Sequence, residues 1–278
     1  MALIVEGAGF AYNAGRGFER RALEGVDMTV ERCGLTVVLG PTGSGKSTLL
    51  RLACGLVDAT EGRVMIDGQE MSSAARRRLR GRVGMVFQNP ESQFFAASVL
   101  EDVAFGPVNL GAAHPHDEAR AALTAVGLDP DEFGSRTPFE LSGGEARRAA
   151  VAGVLAMRPD YLLLDEPTAG LDARGRAAVR EAVAAARSSA GVVVVTHEAS
   201  EFMASADRVL VLSGGSPAFS GTPDEMLSAG ASLPSGVRLP DVARAVLLAG
   251  ERWGANPRAT LDPREAARIL TAMAGGPR

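Results

Sequence analysis

The run Gly40-Pro41-Thr42-Gly43-Ser44-Gly45-Lys46-Ser47-Thr48 contains the spacing G-x-x-x-x-G-K-[ST], between a short apolar run and a helical pattern. Each part has a use in holding phosphates. Glycines let successive backbone N–H groups turn into one concavity, and the start of the following helix adds positive potential. Lys46 is a compact cation able to reach β and γ oxygens, and Ser47 offers a hydroxyl to Mg²⁺. Chance supplies this pattern in a chain of this composition only on the order of 0.001 times. Of the 29 Lys and Arg side chains, Lys46 is the only lysine, so a compact point charge occurs here alone.

Three further groups could act on a bound phosphate. Leu162-Leu163-Leu164-Asp165-Glu166 reads as a buried strand ending in two carboxylates, with Asp165 suited to hold Mg²⁺ through water and Glu166 to polarise an attacking water. Acidic residues after a strand are often only solvated turn residues, so the pair gains its meaning from the 40–47 loop. His197 follows an apolar run and would reach the same sheet edge; a lone histidine is more often structural, but the shared strand-end position favours function. Leu141-Ser142-Gly143-Gly144-Glu145 precedes a helical pattern, where Ser142 and Glu145 can close a capping box. The same helix start, with the Ser142 hydroxyl and two glycines, is also an anion site whose phosphate could belong to another subunit.

These groups need a scaffold that brings strand ends together. Strands are expected over 3–12, 23–30, 35–39, 63–67, 83–87, 161–164, 192–196 and 208–212, with a helix over 46–56 and another over 146–157. Alternation of buried strands with helices argues for an α/β fold with a mostly parallel sheet and helices on both faces, whose ligands bind at the carboxyl ends of the strands. Residues 88–158 show helical and loop patterns and read as an inserted helical subdomain. After Gly221 the strands stop, and two short helices are expected, near 241–249 and 263–274. Asp262 caps the second, with Pro263 at its first position and Glu265 completing a capping box.

Composition narrows the classes. With 278 residues, 46% hydrophobic and 22% charged, the chain should bury a substantial core. A formal charge of −4 argues against a dedicated nucleic-acid binder. Apolar runs are far too short to span a membrane. The opening residues lack the pattern of an export signal, so a cytoplasmic setting is expected. Cys33 and Cys54 have no metal-ligand spacing and read as buried free thiols. Arg76, Arg77, Arg78, Arg80 and Arg82 read as a solvated helix face, and His114 and His116 as part of a proline-containing loop.

Taken in order, the 40–47 loop (Walker A), Gln88, Leu141 to Gly144 (LSGG), the Leu162 to Glu166 strand (Walker B), Gly170-Leu171-Asp172 and His197 resemble the motif series of ATP-binding cassette (ABC) ATPases. The resemblance covers about residues 3–221. It implies a P-loop NTPase core with an antiparallel β subdomain, the inserted helical subdomain and a C-terminal helical extension over 222–278 that joins two ATPase subunits. It further implies that Tyr12 stacks on adenine, Gln88 senses Mg²⁺ and the lytic water, His197 is a switch histidine and Asp172 lies in a loop linking the two sites of a dimer. The family signature more often has Gln where this chain has Glu145, and either closes a capping box.

Val86-Phe87-Gln88-Asn89-Pro90-Glu91-Ser92-Gln93-Phe94-Phe95, and Val99 to Pro107 after it, are similar to the energy-coupling factor group, in particular to cobalt-transport ATP-binding subunits. The resemblance therefore implies MgATP hydrolysis powering uptake of a transition metal, cobalt first, with nickel, biotin or another vitamin as alternatives. It also implies a homodimer or a pairing with a paralogous ATPase, at the cytoplasmic face of the membrane, with an integral membrane coupling subunit and a substrate-binding membrane subunit. Gln88 to Gln93, Val99 to Phe105 and an exposed Phe94-Phe95 pair are expected to face the membrane partner. A soluble ABC ATPase, such as a scaffold for iron–sulfur cluster assembly, is the reading from another class.

Overall fold

The computed structural model describes the chain except residues 14, 16, 73, 80, 90–92, 230–232, 256 and 275–278 and the side chains of residues 77 and 78. The first part runs β1 (Ala2–Tyr12), β2 (Arg20–Glu31), β3 (Leu35–Leu39), α1 (Lys46–Ala53), β4 (Glu61–Ile66), β5 (Gln69–Glu70), α2 (Arg76–Leu79) and β6 (Val83–Val86). Helices follow: α3 (Val99–Asn109), α4 (Pro115–Ala125), α5 (Pro130–Phe133) and α6 (Gly143–Ala156). The core then closes with β7 (Tyr161–Asp165), α7 (Ala173–Ala186), β8 (Gly191–Val195), β9 (Arg208–Ser213) and β10 (Ser216–Gly221), before α8 (Pro223–Ala229), α9 (Asp241–Trp253) and α10 (Pro263–Ala274).

Two sheets result, β2-β1-β4-β5, which is antiparallel, and β10-β9-β3-β8-β7-β6, which is parallel except for β10. Every residue of β3, β7 and β8 is buried, which is why these strands are unbroken apolar runs rather than alternating ones. The pleat divides them between two cores. Leu162, Leu164, Val192 and Val194 face the core that includes Val103, Leu123, Val151 and Val179 of α3, α4, α6 and α7. Tyr161, Leu163, Val193 and Val195 face the other, built from α1 and the antiparallel sheet.

At the end of the main sheet away from the 40–47 loop, a polar knot fastens the two sheets together. The Tyr161 hydroxyl donates to Asp67 Oδ1 at 2.6 Å, Arg82 bonds both Asp67 and Asp160, and Arg32 reaches Asp160 at 2.6 Å. Burial pushes the Asp67 carboxyl up, but the Tyr161 and Arg82 hydrogen bonds and the charges of Arg82 and Arg32 outweigh it and hold it below its ordinary value. Its contribution is therefore present above the unfolded pKa, about 3.9, and is lost as pH falls through the lower folded value. Asp67→Ala, which takes the acceptor from the buried Tyr161 hydroxyl and leaves Arg82 with Asp160 alone, is expected to cost about 2 kcal/mol, or roughly 4–8 °C in Tm. Thermal melts at pH 7 and pH 3 check this; an unchanged Tm at pH 7 counts against the knot.

Several expectations need correction. Strand β10 adds to the expected strands, and its Pro217 is tolerated because β10 lies on an edge; Gly214 and Gly215, at φ 58° and 90°, make the hairpin turn. The extension contains α8 as well as the two expected helices, and α9 runs to Trp253 before Gly254, at φ 65°, stops it. Glu265 does not close a capping box: Thr260 donates to it, and the Asp262 N–H donates to Thr260, while Asp262 itself caps Arg264 N.

His114 and His116 lie at the start of α4, with Pro115 at its first position, and not in a loop. Among the described residues no cluster of three or more His, Cys, Asp and Glu side chains is arranged to hold a metal ion. Cys33 is exposed in a turn at φ 62°, and Cys54 is half-buried, its thiol pushed up to about 11 chiefly by burial. The basic run is no uniform solvated face: Arg76 pairs with Asp58 and Arg82 belongs to the knot, while Arg80 and the side chains of Arg77 and Arg78 lie outside the described residues. Among the described residues no helix is long and apolar enough to cross a membrane.

Candidate functional site

Strand β3 delivers the chain into the 40–47 loop, which α1 then continues. The loop's shape depends on glycines at two positions where a side chain has no room. At Gly40 (φ 149°) a Cβ would lie 2.2 Å from the Leu212 carbonyl oxygen, and at Gly45 (φ 101°) 2.6 Å from that of Ala22. At Gly43, also at positive φ, no atom lies within 4 Å of where a Cβ would be. Thr42 is exposed, and the buried Ser44 hydroxyl has no hydrogen-bond partner in the protein. The loop therefore has the shape and an orphaned polar atom suited to a phosphate chain.

Lys46 sends its ammonium back across the loop, donating to the carbonyls of Gly40 at 2.8 Å and Pro41 at 2.9 Å. Burial lowers its pKa, opposed by the charges of Glu166 and Asp165, which places both carboxylates in its field. The β3-β8-β7 order makes this so: parallel neighbours end on one edge, and the register aligns Val38 with Val195 and Val195 with Asp165. Asp165 is buried, and burial pushes its carboxyl up, opposed by a hydrogen bond from Ser47 and the charge of Lys46. The donor set of Ser47 hydroxyl and Asp165 carboxylate fits a hard, oxygen-seeking divalent cation such as Mg²⁺.

Glu166 leaves β7 at φ 52°, a left-handed conformation that costs a non-glycine residue roughly 1–2 kcal/mol. The turn aims its buried side chain at His197, with Glu166 Oε1 and His197 Nδ1 2.8 Å apart. Arg147 of α6 holds the turn from behind, donating to the Glu166 carbonyl at 2.7 Å and to the Gln88 carbonyl at 3.0 Å. One guanidinium thus ties the exposed Gln88 loop to the carboxylate turn, a role invisible in the sequence because the three residues come from different elements. Tyr12, at the end of β1, places its hydroxyl 3.1 Å from that of Thr48 on α1 and stacks edge-on against Phe10.

Lys46, Ser47, Thr48, Asp165, Glu166, His197 and Tyr12 are therefore brought into one region. The helix start of α6 makes other contacts. Ser142 and Glu145 close the capping box, with Ser142 N and Oγ each 2.8 Å from Glu145 Oε2. Glu145 is held below its ordinary pKa by the Ser142 backbone bond against the effect of burial. Gly144 packs toward Leu171, and Asp172 caps α7 through Gly175 N at 2.7 Å. Among the described hydrogen bonds none joins Ser142, Gly143 or Gly144 to the 40–47 loop of the same chain.

A phosphate cradle at the carboxyl edge of a parallel sheet, with two carboxylates, a histidine and a capped signature helix, defines a P-loop ATPase of the cassette type. The family model described as ABC transporter matches residues 23–169. An energy-coupling factor transporter ATP-binding protein EcfA2 of Symbiobacterium thermophilum is 43% identical over 282 residues, 99% of this chain and 98% of the relative. EcfA2 of Lactiplantibacillus plantarum is 44% identical over 81% of this chain and 79% of the relative. Among solved structures, cbiO1 of Clostridium perfringens, part of the ABC transporter complex cbiONQ, superposes with TM-score 0.71 at 32% identity, over 91% of this chain and 96% of that one. The dimeric post-hydrolysis cassette MJ0796 bound to ADP and Pi gives TM-score 0.73 at 26% identity, over 80% of this chain and 98% of that one. The chain belongs to the ABC transporter family, in its group of energy-coupling factor ATP-binding proteins, and is an ATP-hydrolysing enzyme.

Proposed function

We propose that this chain is the ATPase subunit of an energy-coupling factor importer for a transition metal ion, cobalt first. The observation that carries the ATPase reading is the shared edge on which Lys46, Asp165, Glu166 and His197 meet. In this reading the 40–47 loop and Thr48 bind the phosphates of ATP and Tyr12 stacks on the adenine. Ser47, Asp165 and Gln88 would hold Mg²⁺, which supplies charge neutralisation on the phosphate oxygens. Glu166 orients the attacking water and accepts its proton, and His197 holds the Glu166 carboxylate in place through Nδ1. The cobalt reading is supported by the resemblance of residues 86–107 to cobalt-transport ATP-binding subunits and by the likeness to cbiO1.

The partners proposed are a second ATPase, identical or paralogous, an integral membrane coupling subunit and a substrate-binding membrane subunit, and no nucleic acid. This places the chain at the cytoplasmic face of the membrane. The extension over 222–278 would tether the two ATPases. A partner-facing surface is offered beside Gln88 and α3, where Phe95 and Phe105 stack edge-on at 4.5 Å and are 61% and 49% exposed. Phe94, expected to be exposed with Phe95, is instead half-buried against the core, because successive side chains diverge. Pro90, Glu91 and Ser92 of the proposed surface lie outside the described residues. Asp102 fixes the segment by accepting from Phe95 N and Ala96 N at 2.9 and 2.8 Å.

Burying one phenyl ring stabilises a contact by roughly 1.5–3 kcal/mol, so Phe95→Asp is expected to weaken binding of the membrane subunits about 10- to 100-fold. Basal ATP hydrolysis by the isolated chain should persist. Copurification in detergent and cobalt uptake into vesicles check this together. Wild-type chain that recovers no membrane subunit would favour a soluble ABC ATPase, and undiminished recovery with Phe95→Asp would move the docking surface elsewhere.

A further inference from the structure

The loops that leave β7 and β8 meet twice. In front, Glu166 meets His197. Behind it, Thr168, buried two residues beyond Glu166, donates its hydroxyl to the carboxylate of Glu201, four residues beyond His197 in the Ala199–Glu201 turn. The Glu201 side chain is only 12% exposed, and its other oxygen lies 3.4 Å from Nε of Arg176 on α7. Arg176 in turn donates from Nη1 to the carbonyl of Leu171 at 2.7 Å, next to Asp172. One carboxylate therefore joins the histidine loop, the turn after Glu166 and the 170–172 loop.

The front contact joins the two groups to which the reading above gives roles in hydrolysis. The rear contact carries no reacting atom and is shielded from water, which strengthens a charge-assisted hydrogen bond. Its neighbour Ser200 is fastened as well, its hydroxyl accepting from the N–H of Asp241 at 3.1 Å, at the start of α9. The turn is thus fixed on both sides, by Glu201 inward and by the extension outward.

We propose that Glu201 is a positioning residue for ATP hydrolysis, which sets the spacing of His197 and Glu166 through Thr168 and the pose of the 170–172 loop through Arg176. This rests on the hydrolytic roles given to Glu166 and His197. Glu201 touches neither the 40–47 loop nor Tyr12 among the described hydrogen bonds, so its loss should spare nucleotide binding. Misplacing a catalytic pair by about 1 Å can cost as much as about 100-fold in rate.

The test uses the full chain, with phosphate release measured over a range of MgATP. Glu201→Ala is expected to lower kcat about 10- to 100-fold while KM and MgATP binding change less than about twofold. Glu201→Gln keeps an acceptor for Thr168 and should retain kcat within about threefold of wild type, and Thr168→Val, which breaks the Thr168 contact and leaves that of Arg176, should lower kcat about 10-fold and no further than Glu201→Ala. The double variant Thr168→Val with Glu201→Ala should be no worse than the poorer single one, because both remove the same contact. If Glu201→Ala does not fold, Glu201→Gln and Thr168→Val decide by the same criteria. A wild-type kcat in Glu201→Ala or in Thr168→Val overturns the proposal, as does a Gln variant no better than Ala, or a fall in kcat matched by an equal weakening of MgATP binding. His197→Ala is the control for the underlying reading: if it hydrolyses at the wild-type rate, that reading fails, whereas an inactive His197→Ala beside a fully active Glu201→Ala removes only the role of Glu201.

Discussion

Glu166→Gln should abolish steady-state ATP hydrolysis while leaving MgATP binding intact. The substitution removes the carboxylate that would take a proton from the attacking water, a contribution of about 10²- to 10⁴-fold. It keeps the side-chain length, the backbone turn and an oxygen that can still face His197, so the geometry around Lys46, Ser47 and Asp165 is preserved. Phosphate release should fall to near background while a fluorescent ATP analogue still binds. Wild-type turnover would remove Glu166 from its assigned role. Lys46→Ala should behave oppositely and weaken binding itself, since no second lysine exists to replace the ammonium.

The second large effect is complementation between two inactive variants. The first-turn N–H groups of Gly143 and Gly144 have no intrahelical acceptor, and with the Ser142 hydroxyl they are suited to an anion, while no described hydrogen bond joins them to the chain's own 40–47 loop. ATP would supply the anion across a dimer, with Lys46 of one subunit and Ser142 of the other on the same γ-phosphate. Moving a dimer from about 1% to about 99% closed needs about 5.5 kcal/mol of differential binding. Two sites need roughly half of that each, within reach of one or two charge-assisted hydrogen bonds at about 1.5–3 kcal/mol. Lys46→Ala and Ser142→Arg should each be inactive alone, whereas mixed subunits carry one intact composite site and should recover a substantial part of the hydrolysis. Verified heterodimers as inactive as either parent would sink the composite site.

The Ser142–Glu145 capping box bears on the strength of that site. In this chain the Ser142 hydroxyl already donates to Glu145, whose carboxylate stays ionised. A γ-phosphate must compete for that hydrogen and meets a negative charge one helical turn away. The backbone donors of Gly143 and Gly144 should therefore carry more of the load than the hydroxyl.

How much was legible before folding differs from residue to residue. The phosphate loop was readable because its chemistry lies in consecutive residues: positive φ at Gly40, Gly43 and Gly45 and a cation at position 46 follow from local spacing. Strands β3, β7 and β8 were readable because burial on both faces leaves an unbroken apolar run. Capping of α6 was local too, within three residues of Ser142.

What the chain could not disclose depends on which distant residues meet. Arg147 with Gln88 and Glu166, Glu201 with Thr168 and Arg176, and Asp67 with Tyr161 join residues 19 to 94 positions apart, and no spacing rule encodes such meetings. Phe94 and Phe95 look identical in sequence, yet one packs into the core and the other stacks in the open on Phe105, because neighbouring side chains leave the backbone in different directions. The amino-acid sequence by itself thus determined what is local, a glycine-rich loop carrying one lysine, two carboxylates on a strand end and a capped helix start. The tertiary structure alone decided which of these converge and which hold the others in place, since convergence is set by strand order and register, where a shift of one residue turns a side chain to the opposite face.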